Sequence, residues 1–144
     1  MNIRLALPLA AIAALAAGGG AIAREGGRPF TVAMTGAAER PGPGDPDASG
    51  TAEFRVNAGQ NQVCYTLTVH NIDPATAAHV HRAPPSSPGP VVIPLAAPTS
   101  GTSHGCATVE RALAQEIIRD PGAFYVNVHN AAYPNGALRG QLGR

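Results

Sequence analysis

The chain has no lysine and no tryptophan, and its aromatic residues are three Tyr and three Phe. Its formal net charge is +1, from ten Arg against nine Asp and Glu, with no basic run. A chain so balanced offers no electrostatic footprint for nucleic acid or for an acidic membrane surface. Without Trp, a core must rest on Val, Leu, Ile and Ala. The motifs of common hydrolytic and phosphate chemistry are missing too. There is no H-E-x-x-H and no glycine-rich phosphate loop. The longest apolar run, Leu5 to Ala17, has about 13 residues, short of the ~20 that cross a bilayer.

That run has another reading. It follows the basic start Met1-Asn2-Ile3-Arg4, it is broken by Gly18-Gly19-Gly20, and it ends in the small-residue triplet Ala21-Ile22-Ala23. This is the pattern of a secretory signal peptide over residues 1–23, cleaved after Ala23. The expectation is a secreted or periplasmic protein with no membrane span in its mature chain. Residues 24–144, about 121 in all, make one domain of ordinary size. Export implies an oxidising compartment, and there are two cysteines, Cys64 and Cys106. The simplest reading pairs them as one disulfide; a pair of metal thiolates is the alternative, disfavoured because neither lies in a C-x-x-C.

Hydrophobic alternation with period two dominates the domain. Phe30, Val32 and Met34 alternate with polar or small residues, as do Ala52, Phe54 and Val56, then Val63, Tyr65, Leu67 and Val69. Further strands are expected over Thr76 to Arg82, over Val91 to Leu95 (an edge, because of Pro94), from Cys106, over Phe124 to His129 and over Ala137 to Leu142. Pro41 to Gly50, Pro84 to Gly89 and residues 98–103 read as loops. Glu110 to Arg119 is the one helical segment, with Leu113 and Ile117 four apart and Asp120-Pro121-Gly122 as its stop. About eight short strands and one helix predict an all-β fold, an antiparallel Greek-key-like sandwich or barrel.

The chemistry concentrates in histidine. Of five histidines, His79 and His81 stand two apart on one strand, and His129 lies on another, beside Asn127. Residues two apart on a strand share a face, roughly 6.5–7 Å apart, so both imidazoles can close on one ion. The turn Tyr133-Pro134-Asn135-Gly136 folds Arg139 back to within a residue or two of His129. Three imidazoles with no nearby carboxylate or thiolate suit copper or zinc rather than calcium or magnesium. His70 or His104 is the candidate for a fourth ligand, and Asn127 for an acceptor that orients a ring. The cupin pattern does not fit, because the next acidic residue after His81 is Glu110.

Several segments together resemble the CHRD domain, first named from chordin. They are Thr76-Ala77-Ala78-His79-Val80-His81, Gly89-Pro90-Val91-Val92, Phe124 to His129, and Pro134-Asn135-Gly136-Ala137-Leu138-Arg139-Gly140-Gln141-Leu142. Phe30 to Pro41, with Gly36-Ala37, Glu39 and Pro41, and Gly50 to Phe54 fit as well, so the resemblance runs over about 30–142. Asn130 and Ala137 stand where that family usually has Thr and Glu. A looser likeness is to the copper site of copper/zinc superoxide dismutase. It implies His79, His81 and His129 as copper ligands, Arg139 as the guide for the superoxide anion, and Cys64–Cys106 as the internal disulfide. The expected function is then a copper-only superoxide dismutase. The competing expectation is a non-enzymatic binding or scaffold module outside the cytoplasm, a copper carrier or an interaction domain. Strand edges leave a homodimer open in either case.

Overall fold

The computed structural model describes residues 26–143. The expected signal peptide lies outside the described residues. Eight strands follow in chain order: β1 (Arg28–Thr35), β2 (Ser49–Asn57), β3 (Gln62–His70), β4 (Ala75–Arg82), β5 (Val91–Leu95), β6 (Thr102–Thr108), β7 (Phe124–Asn130) and β8 (Leu138–Gln141). One helix, α1 (Arg111–Arg119), lies between β6 and β7. All pairings are antiparallel, in the order β5-β4-β7-β8-β1-β2-β3-β6. The sheet curls until its two edges nearly meet, giving an almost closed barrel, one of the two antiparallel architectures that the alternation in the sequence predicts. Among the described residues no helix is long and apolar enough to cross a membrane.

Each strand sends alternate residues inward. Val32 and Met34, Ala52, Phe54 and Val56, Val63, Leu67 and Val69, Ala78 and Val80, Val126 and Val128, and Leu138 are all buried in one cluster. Helix α1 adds Ala114 and Ile117, three apart and both fully buried in that cluster, with Leu113, four before Ile117, packed against it. β5 pairs only with β4, so Pro94 does sit on an edge strand, where its missing N–H costs the ladder nothing. β6 begins at Thr102 rather than near Cys106. Its start reads as loop because Gly101, Thr102 and Ser103 favour turns, but pairing with β3 from Thr68↔Thr102 onward overrides that preference. Cys64 and Cys106 face each other in this ladder and form the disulfide.

The seam between β5 and β6 is closed by side chains. The Tyr65 hydroxyl accepts a hydrogen bond from Ala96 N–H at 2.8 Å, and Ser103 Oγ donates to the Ala96 carbonyl at 2.7 Å. Thr99 Oγ1 donates to the Ala75 carbonyl at 2.9 Å.

One stretch of the outer face is also covered. The outward residues of β4, β7 and β8 form two rows across the sheet, His79–Asn127–Arg139 and His81–Tyr125–Gln141. Loop 83–90 is strapped over them: Arg139 donates to the carbonyls of Pro84 and Ser87, and Gln141 to that of Ala83. The loop after β1 closes the other side, with Asp45 N–H bonded to the Ala137 carbonyl at 2.9 Å. Gly44 permits that approach, since a Cβ there would stand 2.2 Å from the Ala137 oxygen.

Candidate metal centre

The three histidines meet on this covered face. β4 supplies His79 and His81, and β7 supplies His129, whose partner in the ladder is Ala77. Their donor atoms all lie within 4.8 Å of one another. His81 is buried, while His79 and His129 are half-buried at the rim. His79 Nδ1 stands 3.2 Å from His129 Nε2. Two donors held by one ion at 2.0–2.1 Å are about 2.9 Å apart at a right angle and about 3.4 Å apart at the tetrahedral angle. The separation of that pair therefore already suits a shared ion.

Hydrogen bonds set the rings. His129 Nδ1 lies 3.0 Å from the Pro134 carbonyl. A carbonyl only accepts, so Nδ1 carries the proton and Nε2 keeps its lone pair toward His79. His81 Nδ1 stands 2.8 Å from the Gly89 carbonyl, and its Nε2 stands 2.9 Å from Asn127 Oδ1. The imidazole of His81 stacks on Tyr125 at 4.6 Å between ring centres, nearly parallel. Burial holds the pKa of His79 below the ordinary value, with the charges of His129 and His81 acting the same way. Burial also lowers His129, partly offset by its bond to Pro134. Both rings are thus biased toward the neutral form that binds metals.

Arg139 lies where the hairpin predicts, opposite Asn127, but its surroundings are not those of an open mouth. It is 1 % exposed. Its guanidinium lies 3.5 Å over the Tyr125 ring and is committed to the carbonyls of Pro84 and Ser87 and to Gln141 Oε1. Its contacts fasten the strap. His70 and His104, the candidates for a fourth ligand, do not join the cluster. Both are exposed, on β3 and β6. The row from His79 to His70 crosses five strand gaps, which at 4.7–4.9 Å each is about 24 Å along the sheet. Sequence proximity of His70 to the turn before β4 is misleading, because the chain crosses to the far side of the barrel there.

One buried carboxylate lies close to this face: Glu39, from the β1–β2 connection, interacts with Arg139 and Asn127 but does not join the histidine cluster. It is 3 % exposed and lies against Gly136, where a Cβ would stand 2.3 Å from Oε1. Burial raises its pKa to about 7, against the pull of Arg139 and of the Asn127 amide. Its Oε1 has no hydrogen-bond partner. The signal that could point to it is a single acidic residue in a segment otherwise built of small residues, Pro and Arg.

A family model described as CHRD domain matches residues 30–142. No curated protein and no solved structure matches the chain. The looser likeness to copper/zinc superoxide dismutase therefore draws no support from these comparisons.

Proposed function

The chain belongs to the CHRD-domain family, and from that premise we propose that it holds one transition-metal ion, copper ahead of zinc, through His79, His81 and His129. The observation that carries this reading is the convergence of three imidazole donors, from two neighbouring strands, within 4.8 Å. The donor chemistry fits. Neutral imidazoles suit borderline ions, and among divalent ions the nitrogen donors favour copper. The lowered pKa values of His79 and His129 keep those rings available to a metal near neutral pH. The Pro134 carbonyl fixes the ring of His129, and the stack on Tyr125 fixes that of His81.

Copper bound there would supply one-electron redox exchange. We extend the proposal to disproportionation of superoxide by the copper-loaded protein, with a non-catalytic copper carrier as the competing outcome. Arg139 would contribute a fixed positive charge to the field of the site. Its bonds to Pro84 and Ser87 make it an anchored charge rather than a swinging guide. The protein would act in an oxidising compartment, secreted or periplasmic, a reading supported by the Cys64–Cys106 disulfide.

The test is copper titration of the purified, untagged chain, followed by a superoxide assay on the loaded form. The expected result is one saturable equivalent of Cu(II) and a dismutation rate above that of free copper at equal concentration. Saturable binding without excess rate would assign a carrier. Loss of saturable binding would leave an interaction module.

A further inference from the structure

His81 carries an unusual contact. Its Nδ1 faces the Gly89 carbonyl at 2.8 Å, and a carbonyl can only accept. In the neutral ring the single proton therefore belongs on Nδ1. That leaves a lone pair on Nε2, which faces the lone pairs of Asn127 Oδ1 at 2.9 Å. Two Lewis bases aimed at one another across so short a gap repel, unless a cation, either a second ring proton or a metal ion, sits where both can reach it.

The surroundings keep Asn127 in this pose. It is 2 % exposed and stands directly opposite His79, diagonal to His81 and two residues before His129, at the middle of the histidine triangle. Its carboxamide also interacts with His79. The amide end faces the carboxyl of Glu39, which leaves the oxygen for the imidazoles. Glu39 is held in turn by the close approach of Gly136. The 2.9 Å gap between His81 Nε2 and Asn127 Oδ1 equals the right-angle edge of about 2.9 Å expected for two donors on one ion.

We propose that Asn127 is the fourth donor of the metal centre, its carboxamide oxygen completing a three-nitrogen, one-oxygen set with His79, His81 and His129. The inference rests on the metal-binding reading above. It adds a preference. An amide oxygen is a hard donor, so the site favours divalent copper or zinc over monovalent copper.

The alternative role for Asn127, an acceptor that orients His81, requires a proton on Nε2 and coordination through Nδ1. The two arrangements differ in the His81 tautomer. The experiment is NMR of the full chain, labelled with 15N in histidine and 13C in the asparagine carboxamide, titrated with Zn(II). The expected result is saturation at one equivalent, with the Asn127 carboxamide carbon shifted, His81 Nδ1–H retained and His81 Nε2 metal-bound. An unmoved carboxamide, or a retained Nε2–H on bound His81, overturns the inference while leaving the three-histidine site intact. Absence of saturable zinc and copper binding overturns the site itself. Affinities provide a second arm. Asn127→Asp is expected to bind Cu(II) at least as tightly as the wild type, and Asn127→Leu about 10- to 100-fold more weakly. Equal Cu(II) affinity in Asn127→Leu contradicts the proposal.

Discussion

His79 and His129 show how burial prepares a residue for chemistry. Both are held below the ordinary histidine pKa, chiefly by desolvation. Metal must displace protons from its ligands, so a lowered pKa delays proton competition on acidification. Three unperturbed imidazoles would lose about 50-fold in affinity between pH 7.5 and pH 6, given a pKa near 6.5. This site is expected to lose less than that over the interval, as measured by copper titration at the two pH values. Glu39 works in the opposite sense. Its carboxyl is raised in the folded chain to about 7, so the fold retains a proton that the unfolded chain gives up above its ordinary pKa near 4.5. Stability from this group is present below pH 4.5, declines as pH rises toward 7, and stays low above it. Glu39→Gln is therefore expected to raise the melting temperature at pH 8 and to do so much less at pH 5. The histidines are legible in the sequence because strand spacing alone puts His79 and His81 on one face. Glu39 and the pose of Asn127 are not, because they depend on which loop folds over that face.

β3, β6 and the segment after β5 meet at the barrel seam, where the outcome depends on a single missing side chain. Tyr65 pairs with Gly105 and passes over it to bond Ala96. A Cβ at Gly105 would stand 2.9 Å from the Tyr65 hydroxyl and 3.2 Å from its Cζ. Gly105→Val should push the ring aside, break the bond to Ala96 and cost about 1–3 kcal/mol, measured by denaturant unfolding. No effect on stability would show that the seam does not depend on Tyr65. Strands with a clean alternation, such as Val63 to Val69, are readable from sequence because one face is buried and the other is not. The start of β6 is not, because Thr102 and Ser103 become strand only through their partners Thr68 and Leu67. The same holds for Arg139: the turn at Asn135-Gly136 locates it opposite Asn127, but nothing local reveals the strap that takes up its donors.

The molecule as a whole is a nearly closed barrel whose histidine face lies between β4, β7 and β8, while its disulfide joins β3 to β6 on the other side. The disulfide and the site are thus separable. Cys64 and Cys106 are 42 residues apart, and closing a loop of that length removes about 4 kcal/mol of unfolded-state freedom in the chain-entropy model. Reduction should lower the melting temperature by many degrees yet leave copper affinity, measured well below that temperature, nearly unchanged. The all-β class and the family resemblance are legible from the strand spacing and from the segments around His79, His129 and Arg139. The barrel's closure is not, because it is made by contacts between distant segments. The central claim is that His79, His81 and His129 together hold one metal ion, and the most direct measurement is the electron paramagnetic resonance spectrum of the chain loaded with one equivalent of Cu(II). The account predicts a single species with nitrogen splitting from three imidazoles, lost in the His79→Ala, His81→Ala, His129→Ala triple variant. A spectrum with fewer nitrogens, or one unchanged in that variant, would contradict it.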